Sequence, residues 1–214
     1  MLKAKLQVLT IEEFANTITH GFGLALSVVG FAILVVLTSV RGDVLTTVSC
    51  VIYGLSLVVL YTASTFYHGA VSPRFKRNLQ IMDRCGIYLL IAGSYTPFGF
   101  VILGGVIGQT LLVLIWMFAV AGILTTIFFP NRFPISSVAS YVVMGWLGVF
   151  AIQPLFQALG IMPVVLAVAG GIAYSLGVIF FAWHRLPHNH AIFHVFVLAG
   201  SIIHYFGVVI YVVR

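Results

Sequence analysis

Seven long apolar runs, at 16–40, 44–68, 84–104, 109–129, 136–157, 163–183 and 191–213, take up most of this chain. Each is long enough to cross a bilayer as a helix, because about 20 residues rising ~1.5 Å apiece span a hydrocarbon core of ~30 Å. Composition points the same way. Of the 214 residues, 62% are hydrophobic and 7% charged, against about 25% charged in a soluble domain. The expected fold class is an all-α integral membrane protein, a seven-transmembrane-helix bundle. The links are short apart from 69–83, so residues 1–214 are expected to form a single membrane domain with a short cytoplasmic N-terminal segment over 1–15.

The first run is longer than a signal-peptide core and lacks a small-residue cleavage site, so it reads as a retained span. Before it, Thr10 and Glu13 in "TIEE" have capping-box spacing, which predicts a helix start there. Basic residues set the orientation. With seven spans, Lys3, Lys5, Arg74, Lys76, Arg77, Arg84, Arg132 and Arg185 share one side, eight of the ten Lys and Arg residues. Arg41 and Arg214 lie on the other. The positive-inside rule then predicts a cytoplasmic N-terminus and an outside C-terminus. The net charge of +6 reads as topology and contact with anionic lipid heads, not as nucleic-acid binding. Cys50 and Cys85 belong near opposite membrane faces, about 25 Å apart, whereas a disulfide needs Cα atoms within about 7 Å.

Polar residues inside membrane spans are costly and mark function. His68 ends the second span, and Ser64 lies one turn deeper on the same face. Asp83 opens the third span, and His190 and His194 open the seventh. Five polar groups from three helices thus share one cytoplasmic layer. His190 and His194, at i and i+4, point the same way, and His68 from a facing helix completes a His₃ set. Zinc takes imidazole nitrogen at ~2.0–2.1 Å, and catalytic zinc typically has three protein ligands plus water. Asp83 would ligate the metal directly or act from outside the ligand set. Ser64 would offer a hydrogen bond to substrate or water.

Other polar groups fit this pattern less well. His184 and His188 are separated by Pro187, which interrupts a helix, and belong in the interfacial link. His204 lies ~15 Å deeper than His194, rotated off its face, and reads as a polar group bonded inside the bundle. Glu13, Asn16 and His20 form a stripe at i, i+3, i+7 that faces the site's layer, read first as helix-to-helix hydrogen bonding and second as a brace or substrate contact. Pro97, in "AGSYTPF", predicts a kink in the third span.

The segments "EEFANTITHG", "YTASTFYH", "MDRCGIYLLIAGSYTPF" and "HNHAIFHVFVLAGSIIHYFGV" resemble the signatures of the hemolysin III family, the bacterial members of the progestin and adipoQ receptor (PAQR) superfamily. That superfamily is related more distantly to the alkaline ceramidases. The resemblance runs from about Glu13 to Val213. It implies a seven-helix fold with zinc (Zn²⁺) near the cytoplasmic face of the bacterial inner membrane. The family's zinc histidines map onto His68, His190 and His194, and its Ser and Asp onto Ser64 and Asp83.

The leading expectation is a zinc-dependent hydrolase of a membrane lipid amide or ester. Asp83 would position a water and take its proton, while Ser64 would help stabilise an oxyanion. The partners expected are the bilayer and a lipid substrate or ligand. The alternatives are a receptor or membrane-homeostasis regulator with structural zinc, and a pore-forming hemolysin, which a chain without a soluble form suits poorly. A retinal protein is excluded, because no lysine falls in a span; the lysines are Lys3, Lys5 and Lys76. A secondary transporter would show repeated halves, and none is visible.

Overall fold

The structure is a computed structural model that describes residues 2–41, 43–130 and 132–213; the side chains of residues 2–10, Arg41 and Pro134 fall outside that description. Every apolar run becomes helical. Helix α1 covers Leu2–Arg41, α2 Val44–Gly69, α3 Pro73–Pro97, α4 Gly105–Phe128, α5 Pro134–Trp146, α6 Ile152–Leu159, α7 Ile161–Ala182 and α8 Asn189–Tyr211. A π-helical stretch, Phe98–Leu103, prolongs α3, and a 3₁₀ stretch, Leu147–Ala151, joins α5 to α6. Among the described residues these make seven candidate spans, with α5 and α6 forming the fifth. The described residues contain no strand.

Local chemistry explains the helix ends. Asp43 caps α2 by accepting from the backbone N–H groups of Leu45 at 3.0 Å and Thr46 at 3.4 Å, with the Thr46 hydroxyl donating to the same carboxylate. Ser72 precedes α3, whose first residue is Pro73, where a missing N–H is harmless. Gly104 and Gly105 turn the chain into α4 with φ of 53° and 46°, a left-handed region that other residues rarely enter. Asn189 closes the α7–α8 turn by donating to the carbonyls of Phe180 and Phe181.

Two expectations need correction. The helix does not start at Thr10, because α1 is already helical from Leu2; Thr10's side chain lies outside the described residues, and Glu13 bonds elsewhere. The third span begins at Pro73, not at 84, because its first turns carry Arg74, Lys76 and Arg77 and give no apolar run. At Pro97 the expected distortion takes the form of a π-helix. Pro97 has no N–H to donate one turn back, and the new register is closed by Gly104 N–H donating to the Gly99 carbonyl at 3.0 Å. The break at Leu147–Ala151 was not expected. Tyr95 holds it, donating its hydroxyl to Gly145 O at 2.5 Å and accepting from Gly148 N–H at 2.8 Å.

Helix α2 packs between α1 and α3, and α8 lies against α1 and α7. Tyr53, Leu57, Leu60 and Tyr61 of α2 form the main core with Leu34, Val208 and Val213. A second core joins Tyr88 and Ala92 of α3 to Ile115, Ala119 and Met144. Cys50 and Cys85 are free thiols. The links between α2 and α3, α4 and α5, and α7 and α8 lie at one end of the bundle, and the site is built there.

Candidate metal centre

Two helices deliver the three imidazoles. His68 comes from the last turn of α2, and His190 and His194 from the first two turns of α8. One ring nitrogen from each lies within 4.8 Å of the others. Ring centroids are 4.9 Å apart for His68–His190 and His68–His194, and 4.7 Å for His190–His194. A tetrahedral ion with nitrogens at ~2.0–2.1 Å places them about 3.4 Å apart, so only small side-chain rotations separate the trio from a ligating arrangement. His68 and His194 are buried and His190 partly so.

Hydrogen bonds fix which nitrogen faces the interior. Glu13 Oε2 lies 2.6 Å from His68 Nδ1. An ionised carboxylate only accepts, so Nδ1–H donates and Nε2 keeps its lone pair. That Nε2 is buried without a hydrogen-bond partner among the described residues. A buried orphan nitrogen is costly, and a metal would satisfy it. Lys76 donates to the other Glu13 oxygen at 2.7 Å, and the Asn16 amide sits 3.4 Å from His68 Nδ1.

His194 is held in a comparable way. The Thr19 hydroxyl donates its single proton to the carbonyls of Ala15 and Asn16, at 2.9 and 3.0 Å. Its 3.3 Å contact with His194 Nδ1 therefore has the histidine donating, which again leaves Nε2 as the free acceptor. Carboxylate or hydroxyl partners of this kind orient metal-binding histidines and set their tautomer. The donor set suits a borderline cation such as zinc.

Sequence reasoning undervalued His20. Its ring stacks on His194 with centroids 3.5 Å apart and planes 13° apart, and its Nδ1 lies 2.6 Å from Ser64 Oγ. Its Nε2 is buried and unpartnered among the described residues. Ser64 is fully buried, and its hydroxyl lies near the Asp83 carboxyl. Asp83 lies outside the histidine trio, on the wall of a cavity. The i, i+3, i+7 stripe was the available signal for Glu13 and His20; Thr19 gave none, because a threonine that bonds its own helix is unremarkable. His184 and His188 are exposed in the α7–α8 link, as their positions implied.

The cavity has a volume of about 360 Å³. Asp83, His20, His190 and His194 line one end, and Trp146, His204 and Gly207 line its deeper part. From His190 to Gly207 along α8 is ~26 Å, close to the thickness of a bilayer core. An elongated apolar slot therefore opens directly onto the polar cluster.

The comparisons agree with this architecture. A family profile described as Haemolysin-III related matches residues 9–205. The chain is 46% identical over 201 residues to Hemolysin-3 of Bacillus cereus, covering 94% of this chain and 92% of that one. It is 43% identical over 203 residues to Hemolysin-3 homolog of Bacillus subtilis (strain 168), covering 95% of each. Monocyte to macrophage differentiation factor of Homo sapiens is 28% identical over 211 residues, with 95% of this chain and 85% of that one covered. This multi-pass membrane protein belongs to the hemolysin III family, within the PAQR superfamily.

Proposed function

We propose that the protein is a zinc-dependent hydrolase of a membrane lipid amide or ester, with its site at the cytoplasmic side of the bacterial inner membrane. One observation carries this reading: a three-histidine set has no fourth protein ligand grouped with it among the described residues, and two of its members, His190 and His194, line the polar end of a long apolar cavity. A site with three protein ligands retains a position for chemistry, whereas structural zinc sites are closed by four. The orientation is supported by Arg74, Lys76, Arg77, Arg84, Arg132 and Arg185, which all fall at the site's end of the bundle.

His68, His190 and His194 would hold the ion. When bound, zinc would supply Lewis acidity toward a carbonyl oxygen and would lower the pKa of a water to ~7. Glu13 and Thr19 keep His68 and His194 in the tautomer that presents Nε2. Asp83, on the cavity wall, is the carboxylate placed to accept a proton from an attacking water. Ser64, held beside His20, would turn its single hydroxyl proton toward an oxyanion. The apolar cavity wall excludes bulk water and takes the acyl chain.

The test uses purified full-length protein, assayed for zinc and for fatty-acid release from ceramide-like amides and acyl esters. Asp83→Asn is expected to lower kcat by ~10²–10⁴, the usual share of a general base. Full turnover by His68→Ala would contradict the mechanism.

A further inference from the structure

A second imidazole environment lies deep in the same cavity and takes no part in the chemistry above. His204 sits on α8 ten residues past His194, ~15 Å further into the membrane. Its Nε2 lies 3.1 Å from the Ala167 carbonyl, which can only accept, so Nε2 carries the proton. In a neutral ring the remaining nitrogen, Nδ1, is then an acceptor. No partner for Nδ1 exists among the described residues, and His204 forms part of the cavity wall.

The surroundings are shaped for this ring. Gly170 lies three residues after Ala167 on α7, and a Cβ there would come within 2.2 Å of His204 Cδ2 and Nε2. No larger residue leaves room for the imidazole. Nearby hydroxyls are already engaged. Tyr61 donates to Ser201 at 2.9 Å, Tyr174 and Ser201 are 3.0 Å apart, and Ser175 donates to Gly171 O while receiving the Trp146 N–H. The bond to Ala167 accounts for one nitrogen of an expensive intramembrane histidine, and the other remains as an open acceptor on an otherwise apolar slot.

We propose that His204 is a specificity-determining residue, accepting a hydrogen bond from a hydroxyl carried part-way along the ligand's hydrocarbon chain. This rests on the lipid-cavity reading above. The favoured ligand has a carbonyl or carboxyl end at the histidine trio and a mid-chain hydroxyl reaching His204. An unmodified chain would leave Nδ1 unpaired, and a hydroxyl beside the carboxyl would fall in the wrong place.

The experiment measures equilibrium binding to zinc-loaded, full-length protein in lipid nanodiscs, by displacement of a fluorescent fatty acid. The probes are octadecanoic acid and its isomers hydroxylated at mid-chain or next to the carboxyl. The mid-chain isomer is expected to bind roughly three- to tenfold tighter than the other two, the worth of one buried hydrogen bond. His204→Phe should abolish that preference, and His204→Asn, which keeps an acceptor near Nδ1, should restore part of it. The comparison of ligands on the unaltered protein stands even if a variant folds poorly. Binding without discrimination, or a preference that survives in His204→Phe, overturns this proposal alone. Failure of every acid to bind overturns the lipid reading and this proposal with it.

Discussion

The second and fifth spans are nearly equal in length, at 26 and 25 residues, and hydropathy reads both as membrane helices. They do opposite work. Helix α2 is continuous and buries a stripe of polar side chains, including Thr46, Ser49, Tyr53, Tyr61, Ser64 and His68. The fifth span is interrupted at Leu147–Ala151 and turns Val143, Phe150 and Phe156 outward. In lipid, apolar surface does not drive helices together, and polar contacts and close packing do. The span carrying the polar stripe therefore sits between its neighbours and positions the site, while the apolar one forms part of the cavity wall.

The sharpest break in this comparison is His68→Ala on α2. It removes one of the three proposed ligands, and metal should be lost from the purified protein, read by elemental analysis, while the seven-helix fold persists by circular dichroism. Glu13→Gln comes next. Without a carboxylate on His68 Nδ1, metal affinity should fall by ~10–100-fold, measured by competition with a chelator. Unchanged affinity would show that α1 contributes nothing to the site.

The fifth span should respond in the opposite sense. Tyr95→Phe leaves the Gly148 N–H and the Gly145 carbonyl without the phenol, costing about 1–3 kcal/mol for each group left unsatisfied. Thermal stability should drop and hydrogen exchange rise at residues 145–151, with metal affinity unaltered. Loss of metal binding here would mean the two halves are coupled.

The smallest effect is at Asp43, between α1 and α2. The Thr46 hydroxyl, followed by the Thr46 backbone N–H, holds its carboxyl below the usual carboxylate value. The charged cap therefore contributes stability above an ordinary pKa of about 4, and that contribution fades as pH falls through the lower folded value. Asp43→Asn keeps a capping side chain, so melting temperature near neutral pH should barely change. The part of the acid-side decline due to this carboxyl should vanish. An identical pH profile in both proteins would remove Asp43 from the account.

The sequence made the seven spans legible, because a hydrocarbon solvent demands long apolar runs. It hid the polar first turns of α1 and α3, where helix continues without hydrophobicity, and it hid the 3₁₀ break, which depends on Tyr95 arriving from another span. His68, His190 and His194 could be grouped by depth and by i, i+4 spacing. The partners of those histidines were harder to read. Glu13, Thr19 and His20 matter through how far α1 is rotated against α2 and α8, and no local pattern encodes that rotation. His204 was correctly placed as hydrogen-bonded within the bundle, but only the cavity exposes its second nitrogen as a question.

The most direct measurement is X-ray absorption at the zinc edge on purified, full-length protein, combined with metal stoichiometry. The account predicts one ion per chain with three imidazole nitrogens at ~2.0–2.1 Å, and loss of that signal in His68→Ala. Intact protein that takes up no divalent cation, or an ion whose shell contains no histidine, would contradict it.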